Sequence, residues 1–204
     1  MPGGRAVRQA LDAVEAARAA NGWTDTRPHL AHIQVVHPDD LPRFRRLGAL
    51  ANAQPLWAVE EDQMTELTLP VLGPIVSAHQ YPFRSLLRHG ATRVMGSDWS
   101  VSTPDPLLEM EVAVTRVSPE ARGRTAPFLP EERISLLDAL RAFTAGSAHV
   151  QHFDEAGTLE FGKLADLAIL DRDLFDEAEG PIGEARVLAT FVDGVAVYEA
   201  PGLE

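Results

Sequence analysis

Thirty carboxylates and seven histidines are the side chains best suited to bind a cation or move a proton near neutral pH in this sequence, which has no cysteine. Asp98 is placed best among them. It closes the stretch Arg93-Val94-Met95-Gly96-Ser97-Asp98-Trp99, in which Val94 and Met95 suit a buried strand and Gly96 a tight bend. The spacing predicts that the carboxylate lies just past the end of the strand, which in a β/α architecture is where catalytic groups sit. A carboxylate there can hold a metal and take a proton from water acidified by that metal. An Asp in a Gly-Ser-Asp turn can equally cap the next helix or close the turn.

His29 and His32 are the histidines to weigh against Asp98. They fall on one predicted strand, where a separation of three places their side chains on opposite faces. If Leu30 faces surrounding helices, His32 does too, so alternation does not choose between them. A His at the C-terminal end of such a strand is a good metal ligand. His149 and His152, three apart on a short helical turn, share a face but have no acidic residue converging on them. His89, beside Gly90, suits the C-terminal dipole of a helix.

The elements that must position these groups follow a β/α rhythm. Val7, Ala10, Leu11, Val14 and Ala17 recur at helical spacing over residues 5–20, and Asn21-Gly22 stops that helix. Residues 28–36 read as a strand. Asp39 or Asp40 then caps a short helix reaching Leu47, ended by Gly48. A second strand covers 49–54, followed by a polar and then Pro-rich stretch over 60–74. A helix over 81–88 leads to the third strand, 91–95. Strand, helix, strand, helix, strand with short connections indicates parallel packing.

Pro106 opens a helix to about residue 117, and residues 118–132, with three prolines, read as a loop. Ser135 with Asp138 caps the helix over 136–144. From Gly157 the apolar residues come in short runs: Leu159 with Phe161, 167–170, 187–192 and 195–198. Asp193-Gly194 is a two-residue hairpin signal. The expected organisation is thus residues 1–153 as part of a β/α unit and residues 154–204 as a small β portion.

Composition narrows the function. Eighteen Lys and Arg against 30 Asp and Glu give a net charge of −12, and no basic cluster stands out, which argues against nucleic acid or an anionic membrane as partner. The absence of cysteine excludes disulfides and thiolate metal ligands and fits a cytoplasmic location. No apolar run approaches the ~18 residues of a membrane span. A soluble protein is expected.

Three segments together resemble the C-terminal part of the amidohydrolase superfamily, in particular the amidohydrolase family 3 branch that includes N-substituted formamide deformylases. Leu30-Ala31-His32-Ile33-Gln34-Val35-Val36-His37-Pro38-Asp39-Asp40 is similar to I-E-H-A-Q-x-V-H-P-D-D. Gly96-Ser97-Asp98-Trp99-Ser100-Val101 resembles G-S-D-x-P-V. Gly157-Thr158-Leu159-Glu160-Phe161-Gly162-Lys163-Leu164-Ala165-Asp166-Leu167 resembles G-x-L-x-x-G-K-x-A-D-L. The first is specific to this branch, the last diffuse across the superfamily. Two departures are visible: Ala31 stands where the family has Glu, and Ser100 where it has Pro.

The resemblance implies an α/β fold: the last strands and helices of a (β/α)8 TIM-type barrel followed by a small β-sandwich portion. It implies a metal-dependent hydrolase of non-peptide carbon–nitrogen bonds in small amide-like or formamide-like molecules, using a divalent metal, zinc by family analogy, to activate water. His32 corresponds to a metal ligand, and Asp98 to a metal ligand that is also the general base. Gln54, Trp57 and Trp99 are the pocket candidates, with Gln54 and Trp99 expected to contact substrate.

The family's fifth-strand His would precede Met1, and its first-strand H-x-H pair and fourth-strand bridging residue have no counterpart here. The chain thus reads as an N-terminally truncated enzyme whose two ligands fall short of the usual three. Three parallel strands leave open edges, so self-association, or pairing with a missing N-terminal half, is expected. The alternative is a non-catalytic remnant or interaction module that keeps family packing without chemistry.

Overall fold

In a computed structural model, which describes residues 4–202, the predicted amphipathic helix forms as α1 (Gly4–Asn21), burying Val7 and Leu11. Three short strands follow: β1 (His29–Ala31), β2 (Leu50–Ala53) and β3 (Arg93–Met95). They pair in the order β1-β2-β3, both pairs parallel, with Ala31 opposite Asn52 and Ala53 opposite Met95. The C-terminal ends of all three strands therefore lie at one end of the sheet. Among the described residues β1 and β3 are its edges.

α2 (Leu41–Leu47) joins β1 to β2, and α4 (Phe83–Arg88) precedes β3. α5 (Pro106–Thr115) starts from Asp105, whose carboxylate accepts the Leu107 N–H at 2.8 Å. Val7, Leu11, Phe44, Leu47, Ala51, Ala53, Leu86, Met110, Val112 and Ala113 share one core, with Leu30 packed against it. Leu50, Val94 and Val150 form a separate small cluster. α6 (Leu136–Arg141) is capped by Ser135 as predicted, the hydroxyl accepting from the Asp138 N–H at 3.1 Å. It continues through a π-helical turn, 142–146, into α7 (Ser147–Val150). Gly146 is required there, since a Cβ would collide with the Arg93 carbonyl of β3.

Several elements differ from expectation. β1 is three residues long rather than nine because positive φ at Arg27 (43°) and His32 (54°) brackets it. The chain beyond it pairs elsewhere: Gln34 accepts the Tyr81 N–H at 2.6 Å, and Val35 bridges Gln80. Neither Asp39 nor Asp40 caps α2 through its side chain. The His37 ring accepts the Asp39 N–H, while Asp40 is buried and takes Arg8 at 2.9 Å and Arg43 at 3.1 Å. Residues 63–68 form a π-helical segment running into α3 (Leu69–Ser77), which breaks at Gly73 ahead of Pro74. Leu159 and Phe161 lie outside any strand and are exposed.

The C-terminal sheet is antiparallel, β4 (Leu167–Leu170), β5 (Val187–Val192) and β6 (Val195–Glu199), in that order. Asp193 and Gly194 both adopt positive φ, as the two-residue hairpin requires. Glu111 of α5 joins this region to the helical layer by accepting from the Gly183 N–H at 2.7 Å and pairing with Arg122, which also pairs with Glu184. No described helix is long and apolar enough to cross a membrane.

Candidate functional site

Each parallel strand delivers one polar residue to its C-terminal end: His32 after β1, Gln54 after β2 and Asp98 after β3. His32 Nδ1 and Asp98 Oδ2 stand 4.0 Å apart. Two ligands about 2.1 Å from one tetrahedral cation lie about 3.4 Å apart, so the pair is near that separation but wider than a tetrahedral site holds. Both line a cleft of ≈ 330 Å³, together with Gln54, Trp57, Tyr81, Phe83 and Val101 among others. Among the described residues no group of three His, Cys, Asp or Glu could hold a metal ion.

The backbone explains how His32 reaches the cleft. Leu30 does pack against the helical core, so strict alternation would send His32 the same way. The strand ends at Ala31, and a left-handed His32 (φ 54°) turns the imidazole out of that alternation. Its N–H donates to Gln54 Oε1 at 2.9 Å. Asp98 is likewise left-handed (φ 59°) and sits in a turn whose closure is the Val101 N–H to its own carbonyl, 2.8 Å. Non-glycine residues with positive φ carry strain of order 1–3 kcal/mol and recur at functional sites.

Gln54 is buried, and its amide is engaged on both sides, accepting from His32 and donating to Asn52 Oδ1 at 3.0 Å. In this conformation it orients the turn that carries His32. Trp99 follows Asp98 but is 68% exposed and is not among the cleft-lining residues, whereas Val101 of the same turn is. His29 is exposed at the start of β1, and His149 and His152 lie outside the cleft.

Three features of the site have no sequence motif behind them. Tyr81 and Phe83 form an aromatic wall packed edge to face, their centroids 6.2 Å apart. Arg116, fully buried in a left-handed C-cap of α5, donates to the Tyr81 carbonyl at 3.1 Å and to the Phe128 carbonyl at 2.8 Å. Its guanidinium lies between the rings of Phe83 and Phe128, and burial lowers its pKa to about 10. Burial also pushes the Tyr81 phenol upward, keeping it neutral. Glu109, buried in α5, takes the Leu56 N–H at 2.7 Å on one oxygen and lies 3.4 Å from the Ser102 hydroxyl on the other. Burial raises its pKa to about 7, against the pull of those two hydrogen bonds, and the charge on Asp98 adds to the rise.

Residues 3–198 match the model of an amidohydrolase family. The chain is 35% identical over 197 residues to Protein LONG AFTER FAR-RED 3 of Arabidopsis thaliana, covering 96% of this chain and 33% of that protein. It is 32% identical to the N-substituted formamide deformylase of Arthrobacter pascens, covering 98% of this chain and 36% of that enzyme. A crystal structure of an uncharacterized metal-dependent hydrolase from Pyrococcus horikoshii superposes with a TM-score of 0.69 at 27% identity, over 88% of this chain and 34% of that one. The chain thus spans about a third of the length of the curated relatives it matches. By the family match over nearly all its length and by its relatives, this chain belongs to the amidohydrolase family.

Proposed function

We propose that these residues are the C-terminal part of a divalent-metal-dependent hydrolase that cleaves non-peptide carbon–nitrogen bonds in small amide-like molecules. The observation that carries this reading is the convergence of His32 and Asp98, 4.0 Å apart, at the C-terminal end of one parallel sheet. On this reading β1 to β3 are late strands of a (β/α)8 barrel, and β4 to β6 contribute to a β-sandwich beside it. His32 and Asp98 would hold the cation, zinc by family analogy, whose chemistry is to acidify water and polarise the scissile carbonyl. A carboxylate oxygen of Asp98 takes the proton from the attacking water and passes it to the leaving nitrogen. Gln54 fixes the His32 turn, and the walls of Trp57, Tyr81, Phe83 and Val101 exclude bulk water and pack on the substrate's apolar part.

Two ligands fall short of the three protein ligands of a typical catalytic zinc site, so the remaining donors would come from residues outside these 204. The same shortfall favours a second reading, a module that keeps family packing without chemistry. The experiment is to purify the chain alone and together with a polypeptide supplying the rest of a relative's length, then measure zinc content and hydrolysis of an N-substituted formamide. The assembled pair is expected to hold stoichiometric zinc and to hydrolyse the amide, with both lost in His32→Ala and Asp98→Ala. Formation of the pair with no zinc and no hydrolysis would replace the hydrolase reading by the module.

A further inference from the structure

We propose that Glu109 is a positioning residue that clamps together the two loops on which the candidate site is built, those following β2 and β3. The proposal rests on the reading of His32 and Asp98 as the site, but its geometry stands by itself. One carboxylate oxygen accepts the Leu56 N–H at 2.7 Å, two residues beyond Gln54, which in turn accepts the His32 N–H. The other oxygen lies 3.4 Å from the Ser102 hydroxyl, which hydrogen-bonds the Ser97 carbonyl, next to Asp98. Glu109 is 0% exposed, so one carboxyl buried in α5 reaches both flanks of the cleft.

The Ser102 hydroxyl has a single proton, which it can donate either to Ser97 or to Glu109. A neutral Glu109 resolves the conflict: its own O–H donates to Ser102 Oγ, Ser102 donates to Ser97, and the second oxygen still accepts from Leu56. Burial raises the Glu109 pKa to about 7, which populates that form near neutrality. Asp98 is the charged group whose field acts on it. Glutamine reproduces the same pattern, accepting from Leu56 through its carbonyl and donating through its amide, whereas alanine leaves the Leu56 N–H buried without that acceptor.

The test is residue-resolved amide hydrogen exchange on the whole chain for wild type, Glu109→Ala, Glu109→Gln and Met110→Ala. The methionine, buried on the same helix, reports what loss of core packing alone does. Glu109→Ala is expected to speed exchange at Leu56 and over residues 97–102 at least tenfold. Glu109→Gln restores protection, and Met110→Ala leaves both loops as in wild type. Equal exchange in Glu109→Ala and wild type, or the same loop pattern in Met110→Ala, overturns the clamp. Zinc titration of the same proteins separates the clamp from the functional reading. A wild type that binds no zinc while the exchange pattern holds leaves the clamp standing and removes the metal role from this chain. Where the wild type does bind zinc, equal affinity in Glu109→Ala overturns the positioning role.

Discussion

His32 and Asp98 are polar residues in a backbone conformation that glycine adopts at lower cost, and both are the residues proposed above to hold a cation. If the strain is retained for function, removing it stabilises the fold while destroying the site. His32→Gly is therefore expected to raise stability by about 0.5–1 kcal/mol, a few degrees in melting temperature for a chain of this size, and to abolish metal binding. A clear fall in melting temperature by calorimetry would mean that the left-handed turn is not strained. Both residues were legible in the sequence from their motifs and from the strand ends they follow. The orientation of His32 was not, because a strand pattern assumes alternation and a single positive φ cancels it. Gln54 was visible as a strand-end residue, but its hydrogen bond to the His32 backbone depends on a neighbouring strand's register.

At the scale of elements, α5 combines a predicted start at Pro106 with a buried carboxyl that its sequence does not announce. Glu109 lies between Leu108 and Met110, and only the loops folded over it make it buried. Its pKa rises from 4.5 in the unfolded chain to about 7 in the fold, so the folded state binds the extra proton between those values. Stability from this group is complete below about pH 4.5 and is lost as pH climbs through 7. The difference in unfolding free energy between Glu109→Gln and wild type should therefore widen in the variant's favour from pH 5 to pH 8, by roughly 2.5 kcal/mol. Denaturant unfolding at both pH values checks this, and a difference that does not change with pH refutes it. The starts of α5 and α6 and the 193–194 hairpin were readable because caps and turns are local chemistry, whereas the side-chain cap expected for α2 does not form. β1 is shorter than its apolar run because the run does not reveal positive φ at its ends, whereas the runs at 167–170 and 187–192 coincide with β4 and β5.

At the scale of the molecule, the apolar pattern is left unsatisfied in places, at Leu67, Val71 and Ile75 and at the C-terminal sheet. β6 is exposed along its whole length, including Val195, Val197 and Tyr198, and Val192 and Ile169 of the same sheet are exposed too. Among the described residues β6 pairs only with β5, so its outer edge offers unpaired backbone groups beside apolar side chains. Among the described residues β1 and β3 are open in the same way. A monomer with such edges gains by pairing them, and burying each exposed valine is worth about 1.5–3 kcal/mol when complete. The net charge of −12 opposes association but is screened beyond about 8 Å at physiological salt. The chain is therefore expected to self-associate in a concentration-dependent way when purified alone, with the joint substitution Val195→Lys and Val197→Lys shifting it towards monomer. Sedimentation velocity over a tenfold concentration range distinguishes the outcomes. A constant monomeric coefficient in wild type would show that charge and twist protect these edges, whereas a coefficient that rises with concentration and falls in the lysine variant places the contact on β6.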